Sequence, residues 1–192
     1  MRRGEHHGAL REALIDASLA LLDDKGAESV TIRAVARSAQ VSHAAPANHF
    51  PDRRALLTGV AIACFETLLD QLAHARFAAD GSARARIDAS IEAYLAYALR
   101  HPQRYRLIWR LDMLDRNNER LTALIDRLYG ELEHDVRALA LKVSDSSTTI
   151  VIALSSVIHG YASMRIDGNF SAAIDEISGK PRHQAIVDAL LR

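Results

Sequence analysis

Apolar residues recur at helical spacing along almost the whole chain. Leu10, Leu14, Ala17 and Leu21 follow one another at intervals of four, three and four residues, which predicts a helix over His7–Lys25. Gly26 then provides a natural end for that helix. Further helices are predicted over Asp52 to about Ala78, Ala83–His101, a short segment from Pro102, Asn118–Lys142, Ser146 to about Ile166 and Arg182–Arg192. Because no strand pattern is found, the predicted fold class is all-α.

The helix that begins near Asp52 is long enough to lead from a small N-terminal domain into a larger one. We place the boundary inside it, which gives domains of residues 7–67 and 68–192. The helix Ser146–Ile166 is apolar on almost every side and must therefore be buried on every side. Since a domain of this size has few fully enclosed positions, we expect part of this helix to pack against a second copy of the chain in a homodimer.

Two short helices joined by a tight turn are predicted within Thr31–Phe50, TIRAVARSAQVSHAAPANHF, which is the outline of a helix-turn-helix. Thr31 can cap the first helix. Its apolar residues Ile32, Val35 and Ala36 share one face of the helix. Its two arginines, Arg33 and Arg37, point elsewhere, toward solvent or phosphate.

The second of these helices has little apolar bulk to bury. The turn is filled by Ala39, Gln40 and Val41, and Ser42 can cap the helix that follows. Its small residues Ala44, Ala45 and Ala47 would let the backbone approach DNA closely. Its polar residues His43, Asn48 and His49 supply hydrogen-bonding groups for base edges and phosphates. Pro46 removes one helical hydrogen bond, so we expect this helix to start loosely or late.

A third helix of this region is predicted to start after Phe50, which returns to the core. Asp52 can cap it, and Arg53 and Arg54 lie in its first turn. Because cations disfavour a helix N-terminus, a facing phosphate would explain the two arginines.

These elements and the run AQVSHAAPANHFPDRRALL resemble the TetR family of transcriptional regulators. The family's usual run is matched by Ala39, Val41, Ser42, His49, Phe50 and Leu56. Arg53 stands where the family has a lysine, Gln40 occupies the place of the turn glycine, and Ala47 occupies that of the recognition-helix tyrosine.

The resemblance implies a homodimeric regulator of transcription, a repressor that binds a palindromic operator in double-stranded DNA and is released by a small-molecule effector. The architecture implied is an N-terminal three-helix helix-turn-helix domain and a C-terminal helical domain for effector binding and dimerisation. The residues assigned to DNA binding are Thr31, Arg33, Ser42, His43, Ala44, Asn48, His49 and Arg53. Asn48 and His43 are assigned to base edges, and Ser42, His49, Arg33 and Arg53 to phosphates.

The C-terminal half has a second resemblance, to the TetR subgroup named for a Trp-His-Gly signature. His159 and Gly160 match this signature, and Ser155 falls where the tryptophan would be. A ligand cavity would be lined by aromatic and methionine residues, which suit an adaptable apolar pocket: Tyr94, Tyr97, Tyr105, Trp109, Met113, His159 and Met164. The alternative is that these residues are core, with His159 a hydrogen-bonded structural histidine.

Charge and cysteine content change this interpretation little. The formal net charge is zero, so a nucleic-acid binder must concentrate its positive charge locally. The single cysteine, Cys64, excludes an internal disulfide and a cysteine-rich zinc site, and it fits a cytoplasmic protein. We find no signal peptide and no uninterrupted apolar run that could span a bilayer, so we expect a soluble protein without a membrane partner.

Other functions have weaker support. Glu131 and His134 form one Glu-x-x-His pair, but a di-iron bundle needs a second pair, so a solvated helix face is preferred. The N-terminal Glu5, His6 and His7 suit a disordered arm better than a metal site. We therefore expect no enzyme, cofactor or metal. The alternative to a regulator is a helical ligand-binding or interaction protein that has lost specific DNA binding, which Gln40, Ala47 and the zero net charge would suggest.

Overall fold

A computed structural model of the chain describes residues 3–139 and 146–191, and its side chains from residue 9 onwards. Eight α-helices lie in the described part: α1 (Arg3–Lys25), α2 (Ile32–Ser38), α3 (Arg53–Ala78), α4 (Ala83–Arg100), α5 (Pro102–Ile108), α6 (Glu119–Ala138), α7 (Ser147–Ile166) and α8 (Arg182–Leu190). Extended pairing within the described residues is limited to one isolated bridge between Ile174 and Pro181. The predicted all-α fold class is confirmed.

Several helix ends agree with the sequence signals, but α1 begins at Arg3, so the segment with Glu5, His6 and His7 is helical and not the expected disordered arm. Gly26 ends α1 with φ 77°, a backbone conformation in which glycine avoids the penalty of a Cβ. Asp52 caps α3, because its Oδ1 accepts a hydrogen bond of 2.8 Å from the backbone N–H of Ala55. Asn118 caps α6 in the same way, through Leu121 at 3.0 Å. The predicted ends of two helices, Lys142 and Arg192, lie outside the described residues.

The chain forms two compact units. The first contains the chain up to Thr67 together with His101–Leu124, and the second contains Leu68–Arg100 and the chain from Ile125 onwards. Along α3 the two units divide between Thr67 and Leu68. However, residues 101–124, which the predicted domain 68–192 includes, pack with the first unit. The assignment of DNA binding and effector binding to the two domains stays a prediction.

A close crossing organises the core of the first unit. A Cβ on Gly59 of α3 would lie 2.8 Å from the ring of Phe50 and 3.2 Å from Cδ1 of Ile15 in α1. Glycine is required at this position because real Cβ atoms do not come this close to a packed ring. Phe50 is 3% exposed, so the segment just before α3 is anchored where that helix crosses α1.

Polar contacts join residues 101–124 to the rest of the first unit. Arg104 of α5 forms a two-pronged ion pair with Asp23 of α1, with its shortest N–O distance at 2.6 Å. Arg54 donates to the carbonyl of Leu114 at 2.7 Å, and the N–H of Asp115 donates to Thr58 Oγ1 at 2.9 Å. The start of α3 is therefore tied to the loop that follows α5.

A buried carboxylate joins three helices in the second unit. Asp135 of α6 has a side chain with no exposed surface and pairs with Arg76 of α3 and with Arg86 of α4, the latter at 2.8 Å. Arg76 also donates to the backbone carbonyl of Glu131 at 3.4 Å. Because both carboxylate oxygens accept a charged hydrogen bond, the charge of Asp135 is compensated where water does not reach it.

Two helices, Arg53–Ala78 and Ser147–Ile166, are long and apolar enough to cross a membrane by length and composition. This corrects the sequence analysis, which found no such run. The finding is weak evidence of a membrane span, since the core helix of a soluble protein passes the same test.

Replacing Asp135 by alanine is expected to lower the free energy of unfolding by about 3–5 kcal/mol, because Arg76 and Arg86 would be left without their buried partner. Urea unfolding followed by circular dichroism measures the change. Arg127→Ala serves as the control, because it removes a more exposed ion pair on the same helix and should cost at most about 0.5 kcal/mol. Equal losses of unfolding free energy in the two variants would show that the buried pairs of Asp135 stabilise the protein no more than the exposed pair of Arg127 does.

Candidate nucleic-acid interface

The first helix of the predicted motif forms as the sequence indicates. Thr31 Oγ1 accepts a hydrogen bond of 3.2 Å from the N–H of Ala34 at the start of α2. Val35 and Ala36 are fully buried. Arg33 and Arg37 are exposed and lie four residues apart, so they share the outer face of this helix.

The turn after α2 has a left-handed residue at its centre. The N–H of Val41 donates to the carbonyl of Ala36 at 3.0 Å, and the N–H of Gln40 donates to that of Arg37 at 3.2 Å. This is the hydrogen-bond pair of a Schellman motif, which needs a residue with positive φ at its turn. Gln40 has φ 56° and is the one non-glycine residue with positive φ in the described chain.

The second helix of the motif is shorter than predicted. In place of an α-helix starting at Ser42, the structure has a 3₁₀ helix over Ala45–Asn48. Pro46 explains the difference, because it has no N–H to donate to the carbonyl of Ser42. The N–H of Ala45 donates to that carbonyl instead, at 3.0 Å. The prediction of a full recognition α-helix is therefore wrong, and its late, loose start is confirmed.

The residues assigned to DNA around this 3₁₀ helix differ in exposure. Ser42, His43, Ala44 and Asn48 are exposed, whereas His49 is half-buried beside Phe50, with ring centroids 6.5 Å apart. The exposed side chains are thus those of His43 and Asn48, which were assigned to base edges, and of Ser42, which was assigned to phosphate. Ala44 is also exposed, and its small side chain permits close approach of the backbone.

Arg53 is held by the first unit itself. Its Nε donates to the carbonyl of Val30 at 2.9 Å, and its Nη2 donates to the carbonyl of Ala27 at 2.8 Å. Nη2 also contacts Glu28 at 3.2 Å. These contacts close the turn between α1 and α2, and they favour a structural role for Arg53 over the predicted phosphate contact.

Ion pairs divide the arginines of the first unit into two groups. Carboxylates pair with one group: Asp23 with Arg104, Glu28 with Arg53, Glu66 with Arg120, and Asp112 with Arg110. Within the part of the chain that the structure describes, Arg33 and Arg37 form no ion pair. Their positive charge is therefore available to an external anion beside the exposed residues Ser42, His43 and Asn48. The sequence analysis placed Arg37 toward solvent or phosphate without assigning it to DNA, and its spacing of four from Arg33 puts the two side chains on one face.

Two family models match this chain. One, described as bacterial regulatory proteins of the tetR family, matches residues 14–60, and the other, described as a tetracyclin repressor-like C-terminal domain, matches residues 87–190. The second match alone spans more than half of the 192 residues. The chain belongs to the TetR family. It is a DNA-binding transcriptional regulator and not an enzyme.

Solved structures share the fold. A protein with unknown function from Rhodococcus sp. RHA1 has 27% identity and a TM-score of 0.77, over 98% of this chain and 95% of the other. A TetR-like transcriptional regulator from the same organism has 17% identity and a TM-score of 0.64, over 94% and 91%. The TetR family regulator PfmR from Thermus thermophilus has 16% identity and a TM-score of 0.65, over 93% and 97%. Among curated proteins, none matches the chain.

The predicted ligand-pocket residues of this TetR family member fall into both units. Tyr105, Trp109 and Met113 lie in the first unit, where Trp109 packs edge-on against Phe65 at 6.1 Å. The second unit contains the other four, Tyr94, Tyr97, His159 and Met164. Tyr97 is 1% exposed and Met164 is 42% exposed. The likeness to the Trp-His-Gly subgroup stays a prediction.

Two of these residues, Tyr94 and His159, are in contact. Tyr94 Oη lies 3.4 Å from His159 Nδ1, between α4 and α7. Burial lowers the pKa of His159 below its ordinary value, because an apolar environment disfavours the charged imidazolium. Burial therefore favours the neutral imidazole, which can both donate and accept a hydrogen bond.

Gln40→Gly is expected to raise the free energy of unfolding by about 1 kcal/mol, because glycine takes the left-handed conformation without the Cβ clash. Chemical unfolding of the two proteins measures the difference. Gln40→Ala is the matched control, since alanine shortens the side chain but keeps the Cβ. An equal gain in the alanine variant would locate the strain in the glutamine side chain instead of the backbone.

Arg53→Ala is expected to reduce stability by about 1.5–3 kcal/mol, because charged hydrogen bonds to Val30 and Ala27 are lost. Unfolding measurements at one salt concentration and DNA titrations at two salt concentrations distinguish a structural role of Arg53 from a phosphate contact. A structural arginine lowers stability and leaves the salt dependence of DNA binding unchanged. A variant with unchanged stability and a smaller salt dependence would instead make Arg53 a phosphate contact.

Proposed function

We propose that the protein is a homodimeric repressor that reads a palindromic operator and is released by a small-molecule effector. The observation that carries the DNA-binding part is the pair of exposed arginines on α2, Arg33 and Arg37, beside the exposed residues Ser42, His43 and Asn48. In this proposal the arginines and Ser42 hold phosphates, and His43 and Asn48 contact base edges. Thr31 contributes by fixing the start of α2, with its backbone close to the same phosphates.

The short 3₁₀ helix is compatible with this role. Phosphate contacts fix the register of a protein on DNA, and base contacts need only a few side chains that reach the groove. Ala44 and Ala47 are exposed beside the polar side chains, so the backbone can approach the groove without a steric barrier. Pro46 is buried, and this holds the exposed residues on either side of it at the surface.

Dimerisation through α7 is supported by its exposed apolar surface. Ile152, Val157 and Met164 are 60%, 37% and 42% exposed in the single chain. Only 28% of the apolar stretch of this helix is buried. A two-fold symmetric pair that covers these residues holds two reading elements one or more helical turns of DNA apart, roughly 34 Å per turn, so the operator should be a palindrome.

Effector control is proposed for the second unit. Members of the family bind small-molecule effectors as dimers. The contact between Tyr94 and His159 offers hydrogen-bonding groups that can orient a largely apolar ligand. Such a ligand releases DNA only if it binds more tightly to the conformation whose helix spacing does not fit the operator.

The test is a fluorescence anisotropy titration of the protein against DNA from the region upstream of its own gene, at two salt concentrations. Tight binding that weakens steeply with salt is expected. Arg33→Ala and Arg37→Ala should each weaken binding and reduce the slope of log K against log salt by about one.

Arg127→Ala is the control for these two variants, because it removes an exposed arginine from α6 in the second unit. It should bind DNA as the wild type does. Wild-type salt slopes in both α2 variants would contradict the assignment of these arginines, and no preference for any upstream DNA over random DNA would contradict an operator next to the gene.

A further inference from the structure

The segment between α7 and α8 contains a hairpin with its own internal hydrogen bonds. The N–H of Asp175 donates to the carbonyl of Lys180, and the N–H of Gly179 donates to the carbonyl of Asp175, both at 2.8 Å. Ser178 donates twice to Asp175 Oδ1, from its N–H and from its Oγ, each at 2.9 Å. With the bridge between Ile174 and Pro181, residues 174–181 form a defined turn, which we call the hairpin.

The hairpin is attached to both neighbouring helices. Phe170, just before it, stacks on Tyr161 of α7 with ring centroids 6.1 Å apart. On the other side, Arg182 of α8 pairs with Asp175 at 3.0 Å. Lys180 pairs with Asp188 of α8 at 2.7 Å. The position of the hairpin tip is therefore set by packing and by ion pairs within the second unit.

The tip of this structured turn is apolar and exposed. Ile177 is 98% exposed, and Ile174 and Phe170 beside it are 58% and 46% exposed. Asp175 and Lys180 are neutralised by partners within the segment or on α8, which leaves Glu176 as the charged tip residue without an ion pair in the described part. Polar contacts hold this hairpin in place, so the isoleucine at its end can pack into an apolar recess of a partner.

We propose that the hairpin is a clasp that docks through Ile177 onto a second copy of this chain. This inference rests on the proposed homodimer and extends its interface beyond α7. Six residues of α7 are exposed: Thr148, Thr149, Ile152, Ser156, Val157 and Met164. A stable interface uses about 20–30 residues from each side, so the exposed face of α7 alone is too small.

The hairpin supplies surface in the right place. Residues 167–173 separate it from α7 and are all exposed, and Asn169 donates to the carbonyl of Met164 at 2.9 Å, so exposed surface runs along the chain from the end of α7 to the hairpin. In a two-fold dimer each clasp contacts the other copy, so a substitution in the clasp alters the interface at two places. A membrane is a poorer partner, because the tip carries Glu176 and not the basic residues that bind anionic lipids.

The test compares dimer dissociation constants of the full chain by sedimentation equilibrium. Ile177→Asp should raise the dissociation constant by about tenfold or more, because a charge replaces an apolar side chain that the dimer buries. Phe77→Asp is the matched control: Phe77 is also in the second unit and 91% exposed, but it lies at the end of α3. This control should stay within about twofold of the wild type, and both variants should keep wild-type stability.

The outcomes separate the clasp from the proposed function. A wild-type dimer that binds DNA, with an Ile177→Asp dissociation constant equal to that of the wild type, would overturn the clasp alone. A wild-type chain that is monomeric at every concentration would overturn both the clasp and the homodimer. Loss of binding to phosphatidylserine vesicles in Ile177→Asp, with dimerisation unchanged, would also overturn the clasp and assign the tip to a membrane surface.

Discussion

The second unit depends on a charge that has no access to water. Asp135 has no exposed side-chain surface and accepts hydrogen bonds from Arg76 and Arg86, so α3, α4 and α6 meet at one carboxylate. A buried ion pair contributes little net stability, because desolvation offsets its attraction, but removal of either partner is costly. Displacing any of the three helices would separate the carboxylate from an arginine, so such arrangements carry that cost. The hydrophobic contacts of Leu and Ile side chains are not directional and discriminate less between such arrangements.

Arginines have a similar structural role in the first unit, where they bind main-chain oxygens as well as carboxylates. Arg53 closes the turn between α1 and α2 on the carbonyls of Ala27 and Val30, and Arg54 binds the carbonyl of Leu114. Both residues lie in the first turn of α3, where a cation next to the helix N-terminus is disfavoured. Neighbouring carbonyl oxygens compensate that penalty here. An external phosphate is therefore not needed to explain either arginine, although the sequence pattern made it the natural explanation.

Local signals in the sequence predicted most of the fold, and contacts between distant residues account for the differences. The cap at Thr31, the buried face of α2, the cap at Asp52 and the end at Gly26 each depend on residues within one or two turns, so spacing and residue type were sufficient. The packing of residues 101–124 with the first unit brings together residues distant in sequence, such as Arg104 and Asp23, which are 81 positions apart, and no periodicity reveals such contacts. In the candidate site, Pro46 indicated a late helix, but only the hydrogen bonds of the structure showed that the helix is 3₁₀.

The zero net charge of the chain is compatible with DNA binding because charge acts locally. Thirteen Lys and Arg against eleven Asp and Glu give the first unit a net charge of +2, and eleven against thirteen give the second −2. At physiological salt, exposed charges more than about 8 Å apart are largely screened from each other. A phosphate near α2 therefore responds mainly to charges within that distance, which include Arg33 and Arg37 on the same helix. Because the nearby carboxylates Asp23 and Glu28 are already paired with Arg104 and Arg53, the potential beside α2 is more positive than the net charge suggests.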